Sequence, residues 1–92
     1  MANVVFPVQF NTVLKGQLNQ SAEGATVSEV LKNVCKEKPA LKKLLFLDSG
    51  SLSPFLVFIF AGENKIFPAA TAATQSVNDG QTIEVLVGMA GG

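Results

Sequence analysis

The sequence predicts a single α+β domain, with one main helix packed across one face of a sheet of four to five strands. Three observations carry this. The run Thr26-Val27-Ser28-Glu29 is a capping box that opens an amphipathic helix. Short runs that are alternating or wholly apolar lie on either side of that helix and read as strands. Asn78-Asp79-Gly80 is a turn signal, and it introduces a last alternating run over residues 82–87.

Taken in order, residues 4–10 read as the first strand, because Val4, Phe6, Val8 and Phe10 alternate with smaller or polar neighbours. Pro7 cannot donate to a ladder and marks an edge, a bulge or an early end. Asn11-Thr12 reads as a turn, residues 13–18 as a returning second strand, and residues 17–24 as a polar loop. The helix follows, with Thr26 at the N-cap and Glu29 at N3. Val27, Val30, Leu31 and Val34 recur at the spacing of one helical face. Lys32, Lys36 and Lys38 tend toward its C-terminal half, where cations complement the helix dipole. Pro39 ends this helix or opens a short new one reaching Phe46.

Residues 48–54 form a Ser/Gly/Pro loop. Residues 55–60 are a strand apolar on both faces, with Leu56, Phe58 and Phe60 assigned to the core and Phe55, Val57 and Ile59 to the outside. Ala61-Gly62-Glu63-Asn64 is a turn, Lys65-Ile66-Phe67 a short strand, and residues 68–75 irregular. In the last strand Leu86 lies on the face opposite Ile83, Val85 and Val87. The domain organisation is therefore a folded unit over residues 1–87 and a flexible tail over residues 88–92.

Composition removes whole classes of function. Of 92 residues 48% are hydrophobic and 15% charged, which places the chain among globular domains. Seven basic residues balance seven acidic ones without a long basic stretch, so no nucleic-acid partner is expected. There is no Arg, His, Tyr or Trp. The chain thus lacks the usual general base and the commonest metal ligand, and no metal site or Ser-His-Asp site is expected. Cys35 is a single cysteine, unable to form an internal disulfide and expected to be inert packing. The longest apolar run, residues 55–61, is too short to span a bilayer, and the first residues lack the positive region of a signal peptide. The expectation is a cytoplasmic protein with no membrane partner.

The tail Gly88-Met89-Ala90-Gly91-Gly92 is the most informative stretch. Glycine has no Cβ, so the last two residues fit a narrow channel that excludes other side chains. Five extended residues reach ~18 Å, enough to enter a partner's active site while the domain stays outside.

The segment from Val77 through the Asn78-Asp79-Gly80 turn and the last strand to Ala90-Gly91-Gly92 resembles the C-terminal signature of the ubiquitin-like sulfur carriers of the MoaD/ThiS family. The helix opening at Ala25-Thr26-Val27, the apolar strand around Phe58 and the Ala61-Gly62-Glu63-Asn64 turn are similar too. Val87-Gly88 departs from a common family form that has proline there, which bears on the stiffness of the tail. The resemblance implies a β-grasp fold with a mixed sheet. It implies a protein that is not an enzyme but the co-substrate of two. A ubiquitin-activating-like adenylyltransferase, using ATP and Mg, would adenylate the carboxylate of Gly92. A persulfide or other donor would replace AMP with sulfur, and the Gly92 thiocarboxylate would serve a sulfur-accepting biosynthetic enzyme. No cofactor would be bound by the chain itself. Gly91, Ala90, Met89 and Gly88 would thread into the partner, and Phe55, Val57, Ile59 and Leu86 would form its apolar docking surface. A sulfurtransferase and a tail-processing protease are further partners of such systems. The loop at residues 48–54 and the Lys65-Ile66-Phe67 strand look most like CysO-type carriers, which serve amino-acid or siderophore synthesis. The alternatives are the small subunit of molybdopterin synthase and a ubiquitin-like modifier conjugated through Gly92.

Overall fold

Alternation of apolar side chains builds the sheet, and the computed structural model, which describes residues 1–63 and 65–88, shows five strands among them. β1 (Ala2–Val5), β2 (Asn19–Ala22), β3 (Leu56–Phe60), β4 (Ile66–Pro68) and β5 (Thr82–Val87) lie in the order β2-β1-β5-β3-β4. β5 is central. It pairs parallel with β1 and antiparallel with β3, while β2 and β4 are the antiparallel edges. This is the mixed sheet of the β-grasp fold expected from the resemblance.

The main helix α2 (Val27–Val34) starts where the capping box places it. Thr26 Oγ1 accepts from Glu29 N–H at 3.3 Å, and Glu29 Oε1 accepts in return from Ala25 N–H at 3.2 Å. Such a cap is worth about 1 kcal/mol. Val27, Val30 and Leu31 are fully buried and Val34 nearly so, against Val4, Phe58, Ile83 and Val85 of the inner sheet face. Each such burial contributes ~1.5–3 kcal/mol. Pro39 does open a second helix, α3 (Pro39–Leu45), which adds Leu41 and Leu45 to the same core.

Two segments differ from the sequence reading. The first is the opening hairpin. The first strand stops at Val5, and residues 8–14 coil into a 3-10 turn (Val8–Phe10) and a short helix α1 (Asn11–Leu14). Phe6, Phe10 and Leu14, four residues apart, are all buried, while Val8 is 73% exposed. Their spacing is helical, and the apparent alternation around Pro7 masks it. The chain reverses through Lys15 and Gly16, at φ 52° and 82°. The returning strand is therefore not residues 13–18 but β2, the polar Asn-Gln-Ser-Ala within the stretch read as loop. Its partner across the ladder, not its own composition, makes it a strand.

The second difference lies at residues 68–75, read as irregular, where α4 (Ala69–Ala72) forms. The first N–H groups of a helix have no partner within it. Here Val27 N–H donates to Gln75 O at 3.1 Å and Ser28 N–H to Ala73 O at 3.2 Å, so the segment after α4 completes the cap of α2. The 78–80 turn behaves as read, with Gly80 at φ 82° and Gln81 N–H bonded to Asn78 O at 3.0 Å. The amino group of Met1 pairs with Asp79 in this turn and lies 3.6 Å from Glu23. The tail residues Met89, Ala90, Gly91 and Gly92, and Asn64 of the 61–64 turn, lie outside the described residues.

Candidate functional site

The last described residues belong to the central strand of the sheet. β5 keeps its ladder with β3 through Val87, opposite Leu56, and Gly88 adds one more rung: its N–H donates to Phe55 O at 2.6 Å. A Cβ on Gly88 would sit 3.4 Å from Phe55 O and 3.5 Å from Val57 Cγ1, so the backbone there lies against both residues. The last described point of the chain is thus anchored beside Phe55.

The outer face around that anchor is apolar. Val57 stands opposite Leu86 on one side and Pro68 on the other, and in the next row Ile59 stands between Glu84 and Ile66. Residues directly opposite in a ladder point to the same face. The four outer-face residues read from the sequence, Phe55, Val57, Ile59 and Leu86, are therefore brought onto one face. Phe55 is 50% exposed and the other three are half-buried. Three more residues extend this face and were not singled out in the sequence. Ile66, 64% exposed, and Pro68 come from β4, and Val5 of β1 lies opposite Glu84. Ile66 and Phe67 are adjacent in a strand, so one of them had to face outward. Phe67 turns inward, its ring 5.3 Å from Phe60. β1 runs parallel to β5, so the chain beyond Val5 heads toward the same end as the tail, where Val8 is exposed. Across the sheet the face turns polar, with Ser21 Oγ donating to Asn3 Oδ1 at 3.0 Å.

Cys35 is not part of this site. It caps the far end of α2, is 4% exposed, and burial pushes its thiol up to about 11, against the weaker pull of Lys38 and Lys42 in the other direction. A thiol held protonated at neutral pH is a poor nucleophile. No helix among the described residues is long and apolar enough to cross a membrane.

No protein-family model and no curated protein matches the chain by sequence. Solved structures do match, over nearly the whole fold. A chain of the Amycolatopsis orientalis BexX/CysO complex is 26% identical, with a TM-score of 0.78 and 100% of both chains covered. Mycobacterium tuberculosis CysO, described as an antigen, is 20% identical at a TM-score of 0.74, over 97% of this chain and 100% of its own. SAMP1 of Haloferax volcanii is 20% identical at 0.70, over 99% and 98%. The last two likenesses concern the fold alone. The neighbours include the CysO proteins whose type the sequence resembles, so the resemblance extends from the tail and turns to the whole ubiquitin-like β-grasp domain.

Proposed function

We propose that this β-grasp chain, built like the CysO proteins, is a cytoplasmic sulfur carrier whose reactive group is the main-chain carboxylate of Gly92. The observation that carries the reading is the position of the tail: Gly88 is tied to Phe55 at the edge of an exposed apolar face, and four residues separate it from that carboxylate. Extended, four residues reach ~14 Å, so a partner docked on the outer face can receive the carboxylate in its own active site. Likeness to a chain of a BexX/CysO complex supports a carrier that works through protein partners.

The chemistry asks little of this chain. A terminal carboxylate, with a pKa of about 3.3–3.7, is ionised at neutral pH. One of its oxygens attacks the α-phosphorus of ATP, the bond from that phosphorus to the oxygen bridging the β-phosphate breaks, and pyrophosphate leaves; Mg held by the partner would supply charge neutralisation there. Hydrosulfide then attacks the acyl carbon of the Gly92 adenylate, a C–S bond forms, the C–O bond to AMP breaks, and a proton is released. The thiocarboxylate passes its sulfur to an acceptor in a biosynthetic enzyme, with cysteine- or siderophore-type synthesis the favoured setting. Base, metal and phosphate ligands belong to the partners, in keeping with a sequence that has no His or Arg.

The test is an intact mass after incubation with a cognate adenylyltransferase, ATP and sulfide. The expected result is the mass change of one oxygen replaced by sulfur, absent after deletion of Gly92 although the deleted chain keeps its fold. Activation that survives the deletion overturns the reading. A second reading draws on SAMP1, which is described elsewhere among the solved structures as a small archaeal modifier protein. A ladder of larger conjugates without the sulfur gain would favour that one.

A further inference from the structure

We infer that the helical side of the molecule, opposite the outer face of the sheet, carries a groove that binds an acidic, leucine-bearing segment of a protein partner. The groove is about 850 Å³ and lies where α2 and α3 both end. Lys32 and Lys36 line it from α2 and the residues just after it, Lys42 and Lys43 from the last turn of α3, and among the described residues Asp48 is the single acid on its wall. All four lysines are exposed, and among the described residues the ion pairs are those of the Met1 amino group and involve none of them. Five of the chain's seven lysines fall within residues 32–43 against one acid there, Glu37, so a chain of zero net charge is locally positive over this stretch. Helix dipoles favour a cation at each helix end separately. They do not require both ends to open onto one groove.

The chemistry of the walls selects the occupant. Lysine ammonium groups on flexible stems suit several separate carboxylates, whereas bidentate recognition of phosphates is the province of Arg, which the chain lacks. Single-stranded nucleic acid also needs aromatic platforms for its bases. Among the described residues the one aromatic lining the groove is Phe46, which is buried. Leu47, 46% exposed, offers instead an apolar contact beside the charges. Carboxylates alternating with leucines meet both features. A partner held here leaves the outer face free, so two proteins can be engaged at once. This inference does not depend on sulfur chemistry at Gly92.

The experiment is an amide-resolved NMR titration of the full chain with a short capped peptide alternating glutamate and leucine. The expected result is a set of shifts confined to Lys32, Lys36, Lys42, Lys43 and Leu47, weakening as salt rises. The double variant Lys36→Glu/Lys42→Glu is expected to weaken binding about tenfold, since exposed ion pairs are each worth a fraction of a kcal/mol and reversal adds repulsion. Its unchanged amide spectrum outside the groove would show that the fold persists. The glutamine version of the peptide should not bind. Shifts on the sheet face, indifference to the double variant, or tighter binding of a short RNA or of phosphatidylserine vesicles at the same lysines would overturn the proposal.

Discussion

Cys35 shows how a residue can be chemically quiet and still leave a mark on stability. Burial holds its thiol protonated in the folded chain up to about 11, whereas the ordinary thiol value is 9.0. Below 9.0 both folded and unfolded chains keep the proton, and the group does not tilt the balance. Between 9.0 and about 11 the unfolded chain releases a proton that the folded chain retains, so stability falls as pH rises through that window, and the loss is complete above it. Urea midpoints measured from neutral to strongly alkaline pH should therefore drop less steeply for Cys35→Ala than for the parent. Equal slopes would show that the thiol is not held by burial. The same burial predicts slow alkylation of the native chain and rapid alkylation in denaturant.

At the scale of elements, α2 was legible because its signals are local. The cap residues are three apart and the buried stripe repeats within a single helix, so no distant partner had to be known. β2 was illegible for the opposite reason. Asn19 to Ala22 carry no apolar alternation, and the strand exists through its pairing with Ala2 to Val5. α4 belongs to the same class, since its role is to bring the Ala73 and Gln75 carbonyls to the start of α2. One glycine also acts at this scale. A Cβ on Gly24 would lie 2.6 Å from the Val30 backbone nitrogen and 2.8 Å from Val30 Cγ2. The chain can enter α2 this closely only without a side chain, and the obstruction includes rigid helix backbone. Gly24→Ala is expected to cost ~1–3 kcal/mol, the usual range for overpacking, read as a lowered urea midpoint at unchanged slope. Gly50→Ala is not a control for this contact, because Gly50 sits at φ 92° in open space and would fail through backbone strain alone, whereas Gly24, at φ 157°, has the clash in addition.

Across the whole molecule, the two layers divide the work. The helices close the inner face of the sheet and build the core, which leaves the outer face uncovered by them. Four of the seven apolar residues named on that face were legible: Phe55, Val57, Ile59 and Leu86 follow from alternation within one strand at a time. Val5, Ile66 and Pro68 join it only through register across the sheet, which no single strand reveals. If the face guides Gly92 into an activating enzyme, its loss should affect activation and spare folding. Phe55→Asp is the sharpest variant, because Phe55 is 50% exposed and its carbonyl, not its side chain, holds Gly88. Surface substitutions of this kind usually change stability by no more than ~0.5 kcal/mol. Truncating an aromatic anchor at a docking site costs upward of ~1–2 kcal/mol of binding, so kcat/KM for adenylation should fall about tenfold or more. Ile66→Asp should act in the same direction. Leu44→Asp places the same charge at a similarly exposed residue, 46%, on the helical side, and should leave adenylation unchanged. Equal losses for Phe55→Asp and Leu44→Asp would mean that charge or stability, not the outer face, governs activation. No loss for either would mean that the enzyme reads the tail alone.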